Sequence, residues 1–403
     1  MTESKSKTQA NHPVSAAPNI PLFRPLFRVD ECLDEIRGCL ELGWTGSGHK
    51  TLEFEEQWKA YTGLPHAHFV NSASAGLHLA VKILKSTRRW DDGDEIITTP
   101  LSFVSTNHAI LHERLRCVFA DVDDSLNLSP ASIESRITAK TRAIMFVGIG
   151  GNVDNLAECV ALAKRHGLSF ILDAAHMCGS TIGGKHVGFD SDATVFSFQA
   201  VKNCPSADSG MICFADSALD GRARKLSWLG IDKDTYARNS QAGYDWKYDV
   251  DEVGYNYHGN SVVASIALVS LRYVEQDNAR RRQLACRYQE HLGTEPGITI
   301  ILHKTGQSAR HLFQVAVNSR EQVLAGLRDH GIHAGVHYRV NSDYLPYRDV
   351  RGECPVARSA ASRLLSLPLH LHLTDEECDY VVSTLLSVVR SMEHKASSDS
   401  RLP

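Results

Sequence analysis

The chain has no CxxC pair among its ten cysteines, which removes the spacing that zinc sites and dithiol–disulfide centres use. Thiols scattered singly are no disulfide framework. A chain of 403 residues needs none, so they point to a reducing, cytoplasmic setting. No run of about 18 apolar residues occurs, so no helical membrane span is expected. Lys and Arg form no block and the formal net charge is -4. Binding to nucleic acid phosphates wants concentrated cations, so no nucleic-acid partner is expected. The opening MTESKSKTQANHPVSAAPNI lacks the apolar stretch of a signal peptide. Residues 1–20 and 393–403 read as mobile tails, and no internal repeat or other low-complexity tract is found.

What is there is ordinary for a globular protein: 43% hydrophobic and 22% charged residues. Helical spacing of apolar residues predicts helices over residues 29–42, 51–61, 75–86, 106–112 and 156–166, the last stopped by Gly167. Short apolar segments predict strands over 68–71, 95–99, 116–120, 142–147, 169–172, 193–198 and 211–214. Strands alternating with helices argue for an α/β fold with a largely parallel sheet covered on both faces. After about residue 240 the pattern changes to a smaller α+β unit. There, helices are expected over 260–278 and 281–292, with strands near Leu302, over 313–317 and over 334–337. A last helix over 374–392 is opened by a capping box of Thr374 and Glu377.

Ligands bind beyond the carboxyl ends of strands in such sheets. Four segments sit there: Asn71 to Ser74, Ser102–Phe103, Asp173 to His176, and the loop around Lys202. A buried lysine loses basicity and offers a free amine for a Schiff base, whose commonest use is with pyridoxal phosphate. That cofactor also needs an anion site, a carboxylate for its ring nitrogen and an aromatic against its face. The NSASAG turn with Ser74 offers the first, Asp173 at the end of FILD the second and Phe103 the third. Taken singly, each has a plain alternative: a helix cap for Ser74, a turn for Asp173, core packing for Phe103, a surface charge for Lys202.

Together and in this order, the residues resemble the DegT/DnrJ/EryC1/StrS family of pyridoxal phosphate sugar aminotransferases over residues 20–389. The stretches that carry the likeness include IPLFRP, LGWTGSGHKTLEFEEQWKAYTG, VNSASAGLHLA, TTPLSFVSTNHAI, LDAAHMCGS, FSFQAVKN, GYNYHGNSVVASIAL, GVHY and LLSLPLHLHLTDEE. The resemblance implies a fold type I transferase. Its large domain, 21–240, would hold a mostly parallel seven-stranded sheet between helices, and 241–392 would form a small α+β domain. It implies that Lys202 holds the cofactor and moves protons, that Asp173 serves the ring nitrogen, and that His176 lies near the phenolic oxygen. Phe103 would stack on the ring, while Ala73, Ser74 and Ser197 would take the phosphate. Asn256 would reach the phosphate of a neighbouring subunit, giving a homodimer with shared sites. Thr45, His337 and Tyr338 would contact substrate. The reaction implied moves an amino group from an amino acid, L-glutamate being expected, to a keto sugar, typically nucleotide-linked. A dehydrating branch carries His where this chain has Lys202, so lysine argues for transamination. A sugar dehydratase, an enzyme for free or phosphorylated keto sugars and a cofactor-binding regulator are the rival readings. The sequence departs from the family pattern at ADSGM, at VGIGGNVDN and at RVNSDY after GVHY, places expected to touch substrate.

Overall fold

Seven apolar segments become strands because each can bury both faces. A computed structural model of the chain describes residues 18–399 apart from 233–235, 237, 238, 241, 242, 245, 246 and 294. The strands are β1 (His66–Val70), β2 (Glu95–Thr98), β3 (Arg116–Phe119), β4 (Thr141–Val147), β5 (Ser169–Asp173), β6 (Ala193–Ser197) and β7 (Gly210–Phe214). They form one sheet in the order β1-β7-β6-β5-β4-β2-β3. Neighbours pair in parallel from β6 to β3, and β7 alone runs against the rest, antiparallel to both β1 and β6.

Every residue of β5, β6 and β7 is buried. Successive residues go to opposite faces of a strand. Ile96, Ile171 and Val195 thus enter one apolar cluster, while Ile97, Leu172 and Phe196 enter the other. The first of these clusters is covered by helices Ala73–Thr87, Val104–His112 and Ser217–Ser227. The second is covered by His49–Thr62, Leu156–Arg165 and the first half of Ser261–Leu292. Leu268, fully buried there, is a load on this packing. Leu268→Ala is expected to lower unfolding free energy by about 3 kcal/mol, read from denaturant melts.

The two helices expected over 260–278 and 281–292 are one, Ser261–Leu292. Residues 279 and 280, expected between them, continue the helix, and the buried polar side chains on either side are held by partners distant in sequence, with Arg281 Nε alone among these left unpaired. Asp277 takes both nitrogens of the Arg28 fork at 2.7 and 2.6 Å. Asn278 bonds Asn203 and the Cys178 carbonyl, and Arg281 bonds the Leu369 carbonyl. The second half of this helix joins another core with Tyr288 and Leu292. That core lies under an antiparallel sheet of Ile298–Ile300, Phe313–Val317 and Leu364–Leu367. The strands expected near Leu302 and over 334–337 are not formed; Gly335 makes only a single bridge to Ser366. Helices Pro130–Arg136, Ser217–Ser227, Arg320–Asp329 and Pro355–Arg363 were not anticipated.

The expected tails are shorter than their boundaries. Ile20 is 1% exposed and its N–H bonds the Gly331 carbonyl at 2.8 Å, so the chain is tied down there. Residues 1–17 lie outside the described residues. The last helix, Asp375–Asp399, runs through most of the expected second tail; 400–403 lie outside the described residues. Its expected capping box is made, with Thr374 Oγ1 accepting from the Glu377 N–H and Glu377 accepting from the Thr374 N–H. Among the described residues no helix is long and apolar enough to cross a membrane.

Candidate functional site

The carboxyl ends of β1, β4, β5 and β6 open on one cleft of about 480 Å3. Asp173 is the last residue of β5 and Ser197 the last of β6. Beyond β6 a turn closed by the Lys202 N–H on the Gln199 carbonyl, 2.7 Å, returns Lys202 to the cleft. Helix Ala73–Thr87 starts directly after β1, capped by Ser72 Oγ, which accepts from the Ala75 N–H. Gly210, at the start of β7, lets that helix start come close: a Cβ there would stand 2.7 Å from the Ala73 nitrogen.

Of the residues singled out in the sequence, the cleft brings together Lys202, Asp173, His176, Ala73, Ser74, Phe103, Ser197, His337 and Tyr338. Thr45 and Asn256 are not among them. Both are exposed. Thr45 lines a separate cleft of about 600 Å3 with Trp44 and Trp228. The Asn256 carbonyl accepts from Asn71 Nδ2, just ahead of the helix start.

Burial drives the electrostatics. Lys202 Nζ has no hydrogen-bond partner among the described residues, and burial brings its pKa down to about 8 despite the nearby Asp173 charge. Asp173 is buried and its pKa is raised by burial. The Thr106 hydroxyl (2.7 Å to Oδ2) and the Ala175 N–H (3.1 Å to Oδ1) oppose that rise, because both stabilise the ionised form. His176 Nδ1 accepts the Gly150 N–H at 3.2 Å. Its proton therefore sits on Nε2, which donates to Tyr338 Oη at 3.2 Å. Burial and the Lys202 charge push His176 well below the usual histidine range, so it is neutral. Burial likewise takes His337 to about 4. Phe103 stays 59% exposed with its ring tilted against Tyr338.

The departures from the expected pattern have structural roles. Gly150, in VGIGGNVDN, adopts φ +62 and supplies the N–H that fixes His176. Ser209, in ADSGM, bonds the Ser206 hydroxyl at 2.7 Å. Asn341, in RVNSDY, donates to the Pro100 and Ser102 carbonyls and so clamps the Tyr338 segment beside Phe103. Sequence reasoning missed Phe23, Thr106, Asn203 and His311. Phe23 and Thr106 lay inside stretches already quoted, IPLFRP and FVSTNH, but nothing in their type marked them. His311, in ARHLF, looked like the flank of a strand.

The donor set suits pyridoxal phosphate. A buried amine without a partner matches an aldehyde, a buried carboxylate matches a basic ring nitrogen, and a helix start with serine hydroxyls matches a phosphate. Among the described residues no group of three or more His, Cys, Asp or Glu could hold a metal ion.

A sequence model of the DegT/DnrJ/EryC1/StrS aminotransferase family matches residues 28–386. The spore coat polysaccharide biosynthesis protein SpsC of Bacillus subtilis is 33% identical over 387 residues, covering 93% of this chain and 98% of SpsC. Helicobacter pylori PseC, an aminotransferase of pseudaminic acid biosynthesis, superposes with a TM-score of 0.85 at 26% identity, over 93% of this chain and all of PseC. Spr1654 of Streptococcus pneumoniae, assigned as a sugar aminotransferase, superposes in its PMP form with a TM-score of 0.84 at 28% identity, over 93% of this chain and all of that one.

Proposed function

The chain belongs to the DegT/DnrJ/EryC1/StrS aminotransferase family and is a pyridoxal-phosphate-dependent transaminase; on that premise we propose that it moves the amino group of L-glutamate to a nucleotide-linked keto sugar. The observation that carries this reading is the Lys202 amine, buried and without a hydrogen-bond partner among the described residues, in a cleft that also holds Asp173. When bound, pyridoxal phosphate withdraws electrons from the carbon that loses a proton.

Lys202 Nζ would hold the cofactor in the resting protein, and its free amine would move the proton to and from the substrate carbon. Asp173 would keep the proton on the ring nitrogen through its negative charge. Thr106 and the Ala175 N–H keep that carboxylate oriented. His176, fixed through Gly150 and Tyr338, would serve the phenolic oxygen. Phe103 would hold the ring, and Ala73, Ser74 and Ser197 would hold the phosphate. His337 and Tyr338, which line the cleft, contact substrate, whereas Thr45 lines another cleft and has no such place in the single chain. Asn256, exposed in the single chain, reaches the phosphate site of a second copy, so the working unit is a homodimer with shared sites.

Borohydride reduction of the loaded protein followed by peptide mapping tests this: the adduct is expected on Lys202, and its absence there would sink the reading. L-glutamate is expected to bleach the cofactor band, and a keto sugar to restore it. Restoration with ammonia release and no amino sugar would mean dehydration instead.

Lys202 also sets a pH dependence. Only the neutral amine captures an aldehyde, and below about 8 the amine is protonated. The rate at which apo protein takes up pyridoxal phosphate is therefore expected to climb with pH and flatten above about 8, as read by stopped-flow absorbance. A capture rate that flattened only near the ordinary lysine range would contradict the burial argument.

A further inference from the structure

We propose that His311 contacts the keto sugar, accepting a hydrogen bond from one of its hydroxyl groups through Nε2. The proposal rests on the sugar aminotransferase reading above.

A chain of hydrogen bonds fixes which ring nitrogen carries the proton. Asn278 Nδ2 donates to the Cys178 carbonyl at 2.9 Å, which turns its Oδ1 toward Asn203. Asn203 Nδ2 donates to that Oδ1 and to the Ala309 carbonyl, each at 2.7 Å. The remaining Asn203 Oδ1 only accepts, and it lies 3.0 Å from His311 Nδ1. The proton is therefore on Nδ1, and Nε2 bears a lone pair. His311 is a lining residue of the cleft, and its Nε2 has no partner among the described residues.

The plane of the ring is held by its neighbours, and the bond to Asn203 sets which edge faces the cleft. It stacks on Phe23 with centroids 5.8 Å apart and planes 10° apart, and it lies 4.3 Å from the His176 ring. Burial, His176 and Lys202 push its pKa well below the usual histidine range, so the lone pair persists at neutral pH.

A lone pair in the cleft selects a donor. The amino donor brings one, its amine, and that nitrogen must go to the carbon that Lys202 also reaches. Its other polar groups are carboxylates, which only accept. A sugar brings several O–H donors.

The test separates the two half-reactions by cofactor absorbance, using L-glutamate for one and a uridine-diphosphate-linked 4-ketohexose for the other. His311→Asn keeps a donor for Asn203 and removes the acceptor. It is expected to raise the apparent KM for the ketohexose about tenfold while leaving the glutamate half-reaction and the melting temperature near wild type. His311→Gln, which puts an acceptor near the Nε2 position, is expected to recover most of that loss. Equal losses in both half-reactions, a loss confined to glutamate, or no loss would each overturn the proposal. Histidine-15N NMR of the wild-type protein gives a readout that needs no variant: a His311 proton on Nε2 would overturn it too. If the wild-type protein takes the amine from glutamate but passes it to no keto sugar, the sugar reading itself falls and takes this one with it. That result differs from a variant that matches an active wild type.

Discussion

Lys202→Ala is expected to lower turnover by about 10^4-fold or more, because it removes both the covalent anchor and the proton carrier. Steady-state kinetics with L-glutamate check the rate, and mass spectrometry after borohydride reduction checks the adduct. Lys202→Arg is expected to fail as well, since a guanidinium keeps the charge but has no free amine. The loss should not come from unfolding. A lysine brought down to about 8 by burial is a charge that the fold disfavours. At pH 7 the folded protein holds it protonated at a disadvantage, which disappears only above the ordinary lysine pKa. The apo variant is therefore expected to melt no lower than wild type. A variant that turned over near the wild-type rate would remove the proposed mechanism.

Asp173→Asn is expected to lower turnover by about 10^3-fold, because the amide keeps the shape and removes the charge that holds the ring nitrogen protonated. Thr106 Oγ1 can still donate to the amide oxygen, but the Ala175 N–H then faces the amide nitrogen and loses its acceptor, so part of the loss comes from a looser side chain. The expected signature is a loss in both half-reactions together, with the protein still able to form its Lys202 adduct. A loss in one half-reaction only would point to substrate contact rather than to the cofactor ring.

These two residues were legible in the sequence for a physical reason. Strands buried on both faces read as apolar runs, so a charged residue at the end of FILD or just past FSFQAV stands out. The order of the strands in the sheet was not legible, since it depends on which faces meet. A break between two helices is expected at 279–280, and the chain stays helical there with Arg28, Asn203 and Leu369, all distant in sequence, meeting the polar groups of Asp277, Asn278 and Arg281. His311 was hidden for the same reason: its value lies in Asn203 and Phe23, which only the fold brings to it. Thr45 and Asn256 show a further limit, because the chain's own cleft does not contain them.

The Ser261–Leu292 helix contributes Leu268 and Leu271 to the core under the large sheet and Leu284 and Tyr288 to the core under the small one. Between them, Asn278 accepts from Asn203, the neighbour of Lys202. No splice point along this rod would separate cassettes for exchange between relatives: a cut before it strips one core, a cut after it strips the other, and a cut at its middle dismantles the brace of the Lys202 loop. A chimera joined within this helix is therefore expected to fold poorly unless both cores come from one parent.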